Sequence, residues 1–138
     1  MKAIRVRKRQ YRRDRGGFFS MELALTLPIL GIVLMALFEF SMLCFARGAV
    51  VEASRVGARK AMLAGATQEG VENEIRKVLN PRLQGSMQVG VELGEQSGDV
   101  VIVAVKVPMN AASPDLLWTV GYSLKGRNLI AETRMIKE

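Results

Sequence analysis

Two carboxylates, Glu22 and Glu39, stand inside an otherwise apolar stretch, and they are the side chains best placed to do chemistry. Between them, from Leu23 to Phe38, there is no charge. An ionised side chain at mid-bilayer costs about 2.5–3.5 kcal/mol on insertion scales, so two such acids need an explanation. At a rise of about 1.5 Å per residue, a helix separates them by about 26 Å, close to the thickness of a hydrocarbon core. Each would then lie near one boundary. For Glu39, at the outer boundary, the expectation is a wetted carboxylate that needs no partner. Glu22 has a more specific context, because it follows Gly17 by five residues and Gly17 ends a basic leader.

The remaining chemistry is sparse. The chain has no histidine and one cysteine, Cys44, which lies inside the apolar stretch. Ser-His and Cys-His nucleophile pairs, His-ligated zinc and an intramolecular disulfide are thereby excluded. No phosphate loop or metal-ligand spacing is recognisable, and Asp99 and Asp115 read as turn residues. The expectation is a protein that is not an enzyme and holds no cofactor or metal.

The element that must position the two acids is the apolar stretch itself. Its limits, Phe18 and Ala46, enclose about 29 residues, where a span needs about 20 and a cleaved secretory signal has an apolar core of about 7–15. A single membrane helix is expected. Pro28 within it removes a backbone donor, so a kink near Ala24–Pro28 is expected. Residues 1–15 hold Lys2, Arg5, Arg7, Lys8, Arg9, Arg12, Arg13 and Arg15 against Asp14, and they account for the whole net charge of +7. The high isoelectric point therefore reflects a leader and not a basic domain, which argues for membrane topology and against nucleic acid as a partner. Arg47, Arg55, Arg59 and Lys60 follow the span, and the heavier basic side stays in the cytoplasm. The C-terminal part is then exported.

A basic leader, Gly17, four residues and then a glutamate in an apolar run make the pattern of a type IV prepilin. With Glu22-Leu23-Ala24-Leu25, Pro28, Glu39-Phe40-Ser41 and Ala53-Ser54-Arg55-Val56-Gly57-Ala58-Arg59, the chain resembles the TadE-like pseudopilins of tight-adherence (Flp-type) pilus systems over about residues 16–62. The resemblance implies a minor pilin acting in pilus assembly and adherence. It implies cleavage between Gly17 and Phe18 by an inner-membrane prepilin peptidase, which makes Glu22 the fifth mature residue. In pilins of this type that glutamate pairs with the N-terminal amine of a neighbouring subunit, so Glu22 is implied as the subunit-assembly acid. The implied partners are the peptidase, other pilins or pseudopilins and membrane lipid. The implied location is the bacterial inner membrane, single-pass, with the N-terminus cytoplasmic and the C-terminal domain periplasmic; incorporation into an extracellular pilus stays open. Leu23 departs from the aromatic residue that many pilins of this system carry there, and the chain is longer than major Flp pilins. The rival reading is an unprocessed single-pass anchor with a periplasmic interaction domain.

The layout expected is a basic leader over 1–17, a transmembrane helix over 18–46 and an exported domain over 47–138. Past the membrane, Ala49, Ala53, Gly57, Ala61 and Ala64 recur at helical spacing and make a stripe of small residues. Such a stripe permits close approach, either of the domain's own sheet, which is the favoured reading, or of a neighbouring subunit. The helix is expected to end near Gly65, with Thr67 capping a second, amphipathic helix over Gln68–Leu79 that Asn80-Pro81 stops. Met87, Val89, Val91 and Leu93 alternate with polar residues as a half-buried strand. Ser97-Gly98-Asp99 marks a turn, and Val100–Val107 is a more continuous apolar strand suited to a central position. Pro108 to Gly126 is irregular, with a short helix or turn at Asp115–Val120. Trp118 and Tyr122 are expected to pack down rather than lie at the bilayer interface. A third strand is expected over Asn128–Lys137. The fold class is α+β, a long N-terminal helix packed on a small antiparallel sheet of about three strands.

Overall fold

The structure is a computed structural model and describes residues 15–138. The basic residues of positions 1–14, and with them most of the expected leader, lie outside the described residues. Helix α1 runs Arg15–Ala61 without interruption, and Pro28 lies inside it. The chain divides into two compact units, one ending at Val33 and one spanning Leu34–Glu138.

In the first unit the helix carries its apolar side chains outward. Phe19, Met21, Leu23, Leu25, Leu27, Ile29 and Leu30 are all exposed. One helix, near the N-terminus, is long and apolar enough to cross a membrane by length and composition. Thr26 Oγ1 donates to the Glu22 carbonyl at 3.0 Å and lies 3.2 Å from the Leu23 carbonyl, in the turn just before Pro28.

The second unit is α+β. Helix α2 (Gln68–Val78) and two single-turn helices, α3 (Pro81–Gln84) and α4 (Met109–Ala112), accompany strands β1 (Gln88–Glu92), β2 (Val100–Pro108) and β3 (Asn128–Ile136). The sheet is antiparallel in the order β1-β2-β3, so Val100–Pro108 is central. Register pairs Val89 with Val105 and Val91 with Val103, and on the other side Val103 with Thr133 and Val105 with Ala131. That alternation sends Val101, Val103, Val105 and Val107 to one face, where all four are fully buried. The opposite face carries Val100, Ile102 and Ala104 before Lys106 and is only partly covered, because a single layer of helix lies on the sheet.

That layer is the C-terminal part of α1. Ala46, Val50, Ala53, Ala58 and Ala61 join the core with the sheet valines and with Val71, Ile75 and Leu79. The small-residue stripe is therefore an intramolecular contact at Ala53, Gly57 and Ala61, whereas Ala64 lies past the helix end and is exposed. Ser54 Oγ donates to the Val51 carbonyl at 2.8 Å and stands 2.8 Å from Thr133 Oγ1. Its only proton is committed to the carbonyl, so Thr133 donates across the interface. This bond locks the rotational setting of the helix on the sheet.

The caps follow the local residues. Thr67 accepts from the Gly70 amide at 3.1 Å and opens α2. Helix α1 ends at Ala61, short of the expected Gly65, which takes a left-handed φ of 74° in the turn leading to α2. Asn80-Pro81 ends α2 and also starts α3, with Pro81 at the position where a missing amide costs nothing. Gln84 Nε2 donates to the carbonyls of Arg76 and Leu79 and closes the far end of α2. The amphipathic face of α2 buries Val71 and Ile75, while Val78 at its end is exposed. Lys77 Nζ donates to Glu74 Oε1 at 2.7 Å, and this bond and the ammonium charge hold the Glu74 carboxyl below its ordinary range. A depressed carboxyl favours the folded state above its unfolded pKa and loses that contribution as pH falls through its folded value.

Candidate functional site

The residues expected to carry function lie on α1, and the structure treats the two glutamates in opposite ways. Gly17 sits in the first turn of the helix and is exposed. A side chain built at Gly17 would meet nothing within 4 Å outside the helix's own backbone. Its amide belongs to the first four of the helix, which have no intrahelical acceptor. Phe18 continues the same turn. Glu22, one turn on, is exposed, and its carboxylate makes no hydrogen bond or ion pair among the described residues. Gly17, Phe18, Glu22 and Pro28 thus fall within about three helical turns of one another.

Glu39 does not stay wet. Its side chain is 1% exposed, against the expectation of a solvated carboxylate at the outer boundary. Oε2 accepts from the Leu116 amide at 2.8 Å and from the Leu117 amide at 3.1 Å. These amides open a 3-10 turn, Leu117–Val120, whose own cap residue Leu116 has no side-chain oxygen. Glu39 therefore caps, from 77 residues away in sequence, a turn that cannot cap itself. Its other oxygen, Oε1, is buried without a protein partner. The physical reason for the correction is local. The Pro108–Gly126 segment folds back onto α1 and removes water from one side of the helix at Glu39, leaving Leu37, Phe38 and Phe40 exposed beside it.

Asp115 and Asp99 are turn residues, as expected. Asp115 accepts from Ser123 Oγ and from the Leu124 amide, closing the loop that Glu39 caps. Asp99 Oδ2 accepts from the Glu95 and Gln96 amides in the β1–β2 turn. Trp118 does not pack down and is 66% exposed. Tyr122 is half-buried against the core, with its ring 6.5 Å from that of Phe40. No group of three or more His, Cys, Asp or Glu is arranged to hold a metal among the described residues.

This exposed, acid-bearing helix and the stripe that follows it coincide with one protein family. Residues 17–59 match the family model described as TadE-like protein. The segment is TadE-like. The match begins at Gly17 and ends at Arg59, so it takes in Glu22, Glu39 and the small-residue stripe through Gly57. The resemblance read from those residues is thereby shown over the TadE-like segment; the sheet lies outside it. No significant match was found among curated proteins or among solved structures. The TadE-like family points to a structural component associated with pili rather than to an enzyme. The apolar first part of α1 is consistent with a single-pass membrane anchor for such a protein.

Proposed function

We propose that this chain is a minor pilin, or pseudopilin, of a tight-adherence (Flp-type) pilus apparatus. In this reading a prepilin peptidase cuts it between Gly17 and Phe18, and it acts in pilus assembly and adherence. The observation that carries the reading is the pairing of Gly17 with Glu22 at a spacing of five on an exposed apolar helix inside the TadE-like segment. Two features of the chain support it. Gly17 is not required by packing in its own fold, which agrees with a site that enters a protease cleft. Glu39 has its partners within the chain while Glu22 has none among the described residues, which leaves Glu22 as the carboxylate available to another subunit.

The chemistry is a charge match. Cleavage removes a leader that holds the chain's whole excess of positive charge, and with it the main tie of that end to the cytoplasm. It exposes an α-ammonium at Phe18. In lipid, a carboxylate and an ammonium that neutralise one another cost far less than two separate ions. Glu22 then acts as a register key for the incoming subunit. The partners are the peptidase, sibling pilins or pseudopilins and membrane lipid. In this reading the protein lies in the bacterial inner membrane with a periplasmic domain.

N-terminal sequencing of the protein recovered from its native membrane should begin at Phe18. Recovery of functional protein that begins at Met1 would leave only an unprocessed anchor. Gly17→Trp should stop the cut and leave membrane insertion intact, since nothing in the fold crowds that position.

Glu22→Ala should insert at least as well as the parent, since it relieves a membrane cost of about 2.5–3.5 kcal/mol. It should also reduce co-purification of sibling pilins. Unchanged co-purification would show that Glu22 is not the assembly acid.

A further inference from the structure

We infer that the 3-10 turn Leu117–Val120 is a second membrane-contacting element, which lays Trp118 and Val120 into the outer interface of a phospholipid bilayer beside the helix. The inference rests on the reading that the first part of α1 is embedded in lipid. Its geometry comes from the Leu34–Glu138 unit alone.

The level of the turn is set by Glu39, whose carboxylate holds the Leu116 and Leu117 amides. The helix does not become polar there. Phe40 is 53% exposed and Phe45 is 80% exposed, with Cys44 exposed between them, and the first charge after Glu39 is Arg47. Phe45 lies about 9 Å farther along the helix axis than Glu39. A turn fastened at Glu39 therefore sits on the membrane side of the last exposed ring of the helix. Lipid that reaches the level of Phe45 also reaches the level of the turn.

The turn is built for that meeting. Trp118 is 66% and Val120 52% exposed, although they share the turn with a buried Leu117. Trp118 shares a shallow depression with Lys125, Ser123 and Asp115, and both Asp115 oxygens are occupied by Ser123 and the Leu124 amide. Behind it, Arg127 stacks 4.7 Å from the Tyr122 ring centroid and donates to the Tyr122 hydroxyl at 2.9 Å, while Tyr122 faces Phe40. Two aromatic rings with an amine and a guanidinium in one loop suit the region where acyl chains give way to phosphates. Tryptophan and tyrosine rings settle there, and lysine and arginine reach the headgroups. Glu39 then has a second consequence. Buried from lipid and bonded to amides, it allows an acid to occupy this level of the helix without facing the bilayer.

Trp118 is the chain's only tryptophan, so its fluorescence reports on this turn alone. The test uses the full chain reconstituted into vesicles of phosphatidylcholine and phosphatidylglycerol, with lipids brominated either high in the acyl chain or near its terminal methyl. The expected result is blue-shifted emission that is lost to the shallow bromines, less to the deep ones, and protected from aqueous iodide. Val120→Asp, at an exposed position, should reduce the bromine quenching and leave circular dichroism and vesicle integration unchanged. Emission typical of water with iodide access, in protein that resists alkaline extraction, would overturn the inference and leave the anchor intact. Blue-shifted emission that ignores bromine and fades on dilution into excess lipid would also overturn it, assigning the turn to a second copy of the chain. Extraction of the protein by alkali would remove the anchor and this inference together.

Discussion

Gly57→Leu should unseat α1 from the sheet, with a loss of stability of about 3 kcal/mol. A β-carbon at Gly57 would lie 2.7 Å from Ile75 Cδ1, 2.8 Å from Ile75 Cγ1 and 3.1 Å from Val103 Cγ1. Neither neighbour has room to retreat, since both are fully buried, Ile75 between α1 and α2 and Val103 on the central strand. Gly57→Ala is the milder case. Alanine gains about 1 kcal/mol of helix propensity over glycine, which offsets part of an overpacking cost of about 1–3 kcal/mol. Leucine keeps that gain but adds three carbons for which there is no space. The loss should appear as an earlier denaturation midpoint of the full chain in detergent, followed by circular dichroism. Gly57→Leu with Ile75→Ala should recover part of it, because the second change vacates the volume that the first one needs. A Gly57→Leu protein as stable as the parent would mean that α1 does not approach the sheet as closely as the structure shows.

Glu39→Ala should release the segment that ends in the Leu117–Val120 turn. Hydrogen bonds to a charged acceptor contribute about 1.5–3 kcal/mol each, and Glu39 accepts two. Their loss leaves the buried Leu117 amide and the part-buried Leu116 amide without that acceptor. Opening the segment to water recovers part of that energy, so the net local loss should be about 3 kcal/mol. A loss of that size corresponds to amide exchange at Leu116 and Leu117 faster by about two orders of magnitude. The effect should stay local. Asp115 with Ser123 and Leu124 holds the other side of the loop, and the sheet amides should keep their protection. Glu39→Gln retains a carbonyl oxygen for the two amides and should lose less. Unchanged exchange at Leu116 and Leu117 in Glu39→Ala would show that the carboxylate does not hold the turn.

These two predictions concern residues whose importance was unequally visible in the sequence. Gly57 announces itself through spacing, because small residues at intervals of three and four on a helix mark a face that something approaches. The sequence left open whether that something is the chain's own sheet or another subunit, and Ile75 and Val103 answer it for the stripe from Ala53 to Ala61. Glu39 gave the opposite impression. Its position at the end of the uncharged run made solvation the economical reading, and its partners are backbone amides far along the chain that carry no side-chain signature. A leucine pair in an irregular segment looks the same whether or not a carboxylate caps it. Trp118 is a related case: a large aromatic ring is usually buried, and nothing in its neighbouring residues marks it as exposed.

From the sequence alone follow the long helix, α2 and the three strands in order, since each rests on local rules; the single-turn helices α3 and α4 do not. The apolar length and the basic leader define the helix and its expected orientation, Thr67 and Asn80-Pro81 delimit α2, and an alternating run followed by a more continuous apolar run marks β1 and β2. The Gly17–Glu22 spacing and the segment matching the TadE-like model are likewise linear facts, readable without any contact. Tertiary structure alone decided which of two similar glutamates is internally satisfied, which face of the central strand is covered and where an exposed tryptophan stands. Those outcomes depend on which surfaces lose water when distant segments meet. Burial and hydrogen bonding across 77 residues leave no periodic trace in the residues on either side.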